Sequence, residues 1–284
     1  MQKCWICNLN EANSGEHKIK ASDIRKRMGD KRFDGFFKIV GEDFITINNS
    51  KHKSLKFPKI ICEDCNNRIT GQADNSYDDF VSYIINNCDK VISEMRIDFS
   101  EIYGEDWSKG KTDLYRYLVK HAGCKTFSDQ GEKSIDLTEL SSFILGKESI
   151  MNFYVFFQIN EIIRDFSLML EAEQIKILTP LLANGTTIKF GFHSNTIYAG
   201  SIMNSFLRMD WIVTDKIFDI KQINFNDQYE NIELLDFDFY PTPFEDIKDN
   251  VEAIEYLTFG KFNKSDETEL TNYYIQKFEG IYRV

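Results

Sequence analysis

Four of the six cysteines in this 284-residue chain stand as two C-x-x-C pairs, Cys4 and Cys7 in CWIC and Cys62 and Cys65 in CEDC. The tight turn inside each pair lets both sulfurs face one ion. Two such knuckles complete a tetrahedral thiolate shell, most often filled by zinc. The 54 residues between the pairs are little obstacle, because closure entropy grows only logarithmically with loop length. A thioredoxin-like redox centre needs one C-x-x-C inside a βαβ pattern rather than two, and merely buried thiols need no spacing at all. A four-thiolate zinc has no open coordination position, so it holds structure and does no chemistry. Cys88 lies on an apolar helical face and reads as core, while Cys124 has no partner at ligand spacing.

Between the knuckles lies Glu16-His17, where a histidine stands beside a carboxylate, and Asn66-Asn67 follows the second knuckle directly. An imidazole titrates near neutrality and suits proton transfer. Adjacent residues on an extended segment face opposite sides, so Glu16 is expected to face an ion and His17 a water. Basic residues crowd the same region: Lys18, Lys20, Arg25, Lys26, Arg27 and, one helical step after Asn66, Arg68. They fit a path for a phosphate backbone and equally a solvated helix face.

The order C-x-x-C, Glu-His, C-x-x-C-Asn-Asn resembles the HNH nucleases, specifically those in which cysteine knuckles staple a ββα-metal core. The resemblance covers about residues 4–75. It implies a zinc-bound, treble-clef-like module that cleaves nucleic acid, with DNA as the expected partner. His17 stands where the family's general base stands. Glu16 and Asn66 stand where the ligands of a catalytic Mg²⁺ or Mn²⁺ stand, the ion stabilising charge on the scissile phosphate and the leaving 3′ oxygen. Arg68 is the favoured phosphate contact, with Lys18 and Lys20 beside the path. Compact nucleases of this type resemble effectors of bacterial defence. Two departures stand out. Gly71 falls one place late after the second knuckle, and the stretch KFPKIIC lacks the usual middle polar residue. Asn48, Asn49 and His52 are the candidates for that position.

The elements that must place these residues are legible in outline. Residues 1–72 carry 14 Lys/Arg against 9 Asp/Glu, whereas the remainder carries 20 against 36, so a basic segment precedes a strongly acidic one. A boundary is expected near 72–80, with a nuclease module over 1–76 and a larger accessory domain over 77–284. Phe80, Ile84, Cys88, Val91 and Met95 recur at helical spacing. A second helix is predicted in TDLYRYLVKHAG, capped by Thr112 and stopped by Gly123. A third is predicted in DLTELSSFILG, with Asp136 and Glu139 as a capping box and Gly146 as its C-cap. NFYVFFQI, TTIKFGFHS and IELLDFDFY read as strands, while 161–182 and 244–257 suit helices. The whole is an α+β protein, 42% hydrophobic and 28% charged, enough to form a real core. No apolar run approaches the ~20 residues of a membrane span. The opening MQKCWICN lacks the apolar core of a signal peptide, so a cytoplasmic setting is expected, without membrane contact.

The acidic remainder repels DNA, so it is expected to support, regulate or oligomerise the module, through a protein partner or a small-molecule regulator. His121 reads as structural, and His193 falls in a strand-like run. Two competing readings share the cysteines. One is a zinc-structured nucleic-acid-binding module without cleavage. The other is a zinc-structured adaptor that binds protein.

Overall fold

The computed structural model describes residues 2–28, 36–40, 43–47, 49–130, 136–159, 164, 182–184, 188–192, 195–204, 206–214 and 230–236. The chain opens on a knuckle loop in which Asn8 N–H bonds to Cys4 O (2.8 Å) and Cys4 N–H to Asn10 O (3.0 Å). Asn8 takes φ 52°, a left-handed conformation that asparagine tolerates.

An irregular antiparallel hairpin follows, joining residues 14–18 to 55–61 through the pairs Ser14–Ile61 and His17–Lys56. Between those two pairs the second strand carries two residues more than the first, and exposed Pro58 and Lys59 form the bulge. Gly15 permits it, since a Cβ there would sit 2.5 Å from the Phe57 carbonyl oxygen. The excursion between the two strands contains α1 (Ala21–Met28) and the antiparallel pair β1 (Phe36–Val40) and β2 (Asp43–Ile47).

The second knuckle runs into a π-type turn, Cys65–Ile69, and then α2 (Gly71–Asn86). A π turn is one residue wider than an α turn, the spacing by which Gly71 falls late. Helix α2 buries Ala73, Tyr77, Phe80, Val81 and Ile84, a 3.6-residue stripe. The helical spacing through Met95 breaks at Asn87, whose backbone N–H and Nδ2 both bond to Tyr83 O (2.9 Å each). Helix α3 (Cys88–Glu94) resumes and ends on Met95 at φ 49°. Then come β3 (Arg96–Asp98), α4 (Phe99–Tyr103) and the long α5 (Trp107–Gln130).

Helix α5 does not stop at Gly123. Trp5 packs there instead, and a Cβ on Gly123 would lie 2.2 Å from the indole Cη2. Helix α6 (Thr138–Ile144) matches its expected caps in part. Asp136 accepts from Thr138 N–H (2.9 Å) and Gly146 takes φ 117°, but Glu139 pairs with Lys147 (2.8 Å) rather than closing a capping box.

The sheet is built from β4 (Phe153–Ile159), β5 (Leu182–Asn184), β6 (Ile188–Phe192), β7 (Asn195–Asn204), β8 (Leu207–Thr214) and, after β9 (Asn231–Glu233), β10 (Leu235–Asp236). Its order is β10-β4-β8-β7-β5, with β6 also on β7. All pairings are antiparallel except β10 on β4. Strand β9 pairs with β3. Strands β4 and β8 are buried throughout, and between them Gln158 and Arg208 both donate to Asp210 at 2.7 Å.

The architecture is therefore α+β, as the sequence indicates. Helix α2 runs unbroken across the expected boundary at 76/77, and one apolar core reaches from Cys4 to Leu234. Tyr77 of α2 stacks on Tyr117 of α5 with ring centroids 4.1 Å apart, at its centre. Fully burying Phe80, Phe99 or Phe143 contributes roughly 1.5–3 kcal/mol each. No described helix is long and apolar enough to cross a membrane. Most of the expected helix over 161–182, the helix over 244–257 and His193 lie outside the described residues.

Candidate functional site

The two knuckles meet. Trp5 N–H bonds to Ile60 O and Ser14 N–H to Ile61 O (3.2 and 2.9 Å), which docks the first loop against the strand leading into the second pair. The sulfurs of Cys4, Cys7, Cys62 and Cys65 then lie within 4.8 Å of one another, with Cys7 Sγ 3.8 Å from Cys62 Sγ. Tetrahedral Zn–S bonds of ~2.3 Å require an S–S edge of ~3.8 Å, so the donor set fits such an ion. The cluster is a four-cysteine site able to hold a metal such as zinc.

Its surroundings act unequally on the four thiols. Cys65 N–H and Asn10 Nδ2 donate toward Cys62 Sγ (3.4 and 3.7 Å). Burial raises the Cys7 thiol, but backbone N–H groups of Asn10 and Leu9 outweigh it and bring the group to about 7. Burial pushes the Cys4 and Cys65 thiols up, and the neighbouring thiols push Cys65 further, as expected where like charges crowd without a cation. Cys88 is half-buried against the core and Cys124 fully buried; neither belongs to the cluster.

On the hairpin, Glu16 and His17 face opposite ways. Glu16 is buried, with Lys120 Nζ of α5 at 3.1 Å from its Oε2. The same ammonium, itself wholly buried, reaches Asp74 (2.9 and 3.1 Å) and Thr70 Oγ1 (3.2 Å) on the knuckle helix. Burial raises the Glu16 carboxyl, but the Lys120 charge more than offsets it and holds Glu16 below its ordinary value. Asp74 is raised, by burial first and despite Lys120, with Glu16 adding to the rise. Lys120 thus holds Glu16 ionised.

His17 lies across from Lys56 in the hairpin pair. Its Nε2 is buried without a hydrogen-bond partner, and the nearby Ser50 backbone favours the protonated ring. Burial first, then Lys56, depresses the imidazole, keeping it neutral at pH 7.

Asn66 sits in the π turn. Its Nδ2 donates to Ser14 Oγ (2.9 Å), and its Oδ1 is buried without a partner. Hairpin and knuckle helix are thereby tied together at Asn66, with one amide oxygen left over.

The expected phosphate contacts are placed differently from a free basic path. Arg68 forms a bidentate pair with Asp64 (2.6 and 2.7 Å) beside an open cleft lined by Asn10, Glu11, Asn13 and Glu63. Lys20 pairs with Asp78 (3.1 Å), donates to Asp74 O and lies over the rings of Tyr77 and Tyr117. Lys18 is half-buried over Phe57, and Lys26 donates to Ser82 (2.9 Å). The side chain of Arg27 lies outside the described set.

Of the candidates for the middle position, Asn49 Oδ1 accepts from Lys51 N–H (2.9 Å) in a turn. His52 Nδ1 caps the short 3₁₀ turn Lys53–Leu55 by accepting from Ser54 N–H (3.3 Å). A neutral imidazole has one acceptor nitrogen, and here the cap uses it, so His52 offers a donor rather than a metal ligand. Asn48 lies outside the described residues. His121 is structural as expected, its Nε2 on Lys18 O (3.0 Å) and its ring against Phe57.

Sequence reasoning missed Lys120, Thr70 and Asp74. The available signal was Lys120 at helical spacing among Tyr117, His121 and Cys124, since a charge on such a face must find a partner. No known protein family, curated protein or solved structure matches the chain.

Proposed function

We propose that the chain is a zinc-stapled, divalent-metal-dependent endonuclease of the HNH type that hydrolyses phosphodiester bonds in DNA. The observation that carries this is a pair of buried polar atoms without a partner, His17 Nε2 and Asn66 Oδ1, on a hairpin and helix held by the four-cysteine cluster. A buried acceptor left unmade costs ~1–3 kcal/mol, a cost that persists where function uses the group.

In this reading His17 Nε2 takes the proton from the water that attacks phosphorus, as the bond to the leaving 3′ oxygen breaks. The nearby Ser50 backbone supports the imidazolium that results. Ser14 holds the Asn66 amide so that Oδ1, not Nδ2, is left over. Asn66 and Glu16 are the groups to hold Mg²⁺ or Mn²⁺, which supplies Lewis-acid stabilisation of the phosphate when bound. Asn66 fits that role with its free oxygen, whereas Glu16 must share its carboxylate with Lys120. That ion pair favours a second reading, a zinc-structured nucleic-acid-binding module that does not cut.

Incubating purified protein with plasmid in Mg²⁺ or Mn²⁺ separates the two. Cleavage is expected, and His17→Ala should reduce it by about 10²-fold or more while zinc content and circular dichroism persist. A wild-type protein that binds plasmid without cutting it supports the second reading. A His17→Ala protein that cuts like wild type overturns the assignment of the base.

A further inference from the structure

Two of the three cations that the motif would have used are matched by carboxylates. Lys20 is matched by Asp74 and Asp78, and Arg68 by Asp64. Elsewhere among the described residues Lys90, Lys109, Lys125 and Lys147 each have a carboxylate within 3.2 Å. Lys3, Lys18 and Lys26 meet a carbonyl, a ring and a hydroxyl instead, and one cluster of four lysines stands apart from both habits. Lys51, Lys53, Lys56 and Lys59 fall within nine residues on the second hairpin strand and its approach, and their ammonium groups form no ion pair among the described residues. Lys51, Lys53 and Lys59 are exposed, and Lys56 is half-exposed.

Their placement is set by the hairpin. Residues directly opposite in an antiparallel pair share a face, so Lys56 flanks His17 on the side away from Glu16. The 3₁₀ turn capped by His52 carries Lys53, the turn at Asn49 carries Lys51, and the bulge over Gly15 pushes Lys59 outward. Lys56 therefore stands across from the imidazole, and three more cations without an ion pair among the described residues lie on the same arm of the hairpin, in a chain whose residues beyond 72 carry a net −16. Such an imbalance steers a polyanion to the basic face.

We infer that the phosphate backbone of duplex DNA seats on the Lys51–Lys59 face of the hairpin, beside His17, rather than along Lys18, Lys20 and Arg68. This placement rests on the role given to His17 above, but its test reads binding, not cleavage. Anisotropy of a short fluorescein-labelled duplex, titrated over a range of salt without added divalent ions, measures affinity and its salt slope. The triple substitution Lys51→Glu, Lys53→Glu, Lys59→Glu leaves Lys56 in place so that the His17 pair stays intact. It should weaken binding about tenfold or more at ~100 mM salt and flatten the log–log slope by about 2–3. Zinc content and circular dichroism should match wild type, and Arg68→Ala should change affinity by about twofold at most. Wild-type affinity and slope in the triple variant overturn the placement, as does an equal loss in Arg68→Ala. Lysine-dependent binding of a single-stranded RNA with none of the duplex overturns the choice of DNA. A wild-type protein that shows the lysine-dependent slope yet leaves plasmid uncut refutes the cleavage reading and leaves this surface standing.

Discussion

Asp23 shows how much a single carboxyl can cost inside this protein. It sits on α1 in the core, where Tyr77 Oη donates to Oδ2 at 3.2 Å and Oδ1 has no partner. Burial, and then the nearby charge of Asp78, raises it from 3.8 to about 6. Because the folded state binds this proton more tightly than the unfolded chain, the carboxyl's contribution to stability falls as pH rises from about 4 to about 6. Asp23→Asn keeps the shape and an acceptor for Tyr77 while removing the charge. Chemical denaturation at pH 7 should find the variant more stable, by at most about 3 kcal/mol. His121 works against Asp23 in the same window, since burial lowers it to about 4 and its contribution rises with pH. Only the difference between wild type and variant is diagnostic. A difference that does not change between pH 4 and 7 would show that Asp23 is not the group responsible.

Helix α5 shows why local sequence signals carried the elements but not their joints. Its apolar spacing was readable, yet Gly123 reads as a stop only while nothing else needs the space above it. In the fold Trp5, from between the first two cysteines, lies on that glycine, so the helix continues to Gln130. Lys120 is a parallel case, because nothing near residue 120 announces partners at positions 16, 70 and 74. The cysteine knuckles were legible because ligand spacing is local to each pair. The fate of Lys20 was not, since Asp78 is visible as a partner only once α2 is built, whereas Asp64 and Arg68 stand at local i,i+4 spacing and were an available signal. Gly123→Ala tests the joint. In an exposed helix this change gains up to ~1 kcal/mol, but here the added Cβ must displace an indole. A net loss of about 1–3 kcal/mol is expected, with faster loss of metal to a chelator because Trp5 lies between Cys4 and Cys7. A variant that is more stable than wild type would mean Trp5 does not occupy that face.

For the molecule as a whole, the continuous core makes the metal cluster more than a local clamp. The four cysteines tie the knuckle loop to the strand before α2. Trp5 rests on α5, and Lys120 returns from α5 to Glu16 of the hairpin and Asp74 of α2. Hairpin, α2 and α5 therefore share two joints besides their apolar packing, and both involve segments that the cluster positions. A structural zinc contributes folding free energy because its site exists only in the folded chain. Here that contribution should reach residues far from it in sequence. Cys62→Ser, or chelation of the wild-type protein, should lower hydrogen-exchange protection in α5 along with that of the hairpin, and unfolding should shift as one transition. An independent module predicts the opposite, exchange rising over 1–76 while the amides of Leu114 to Cys124 stay as protected as before. That second pattern would show the apolar contact between α2 and α5 to be self-sufficient, and would confine the metal's work to the hairpin that carries His17.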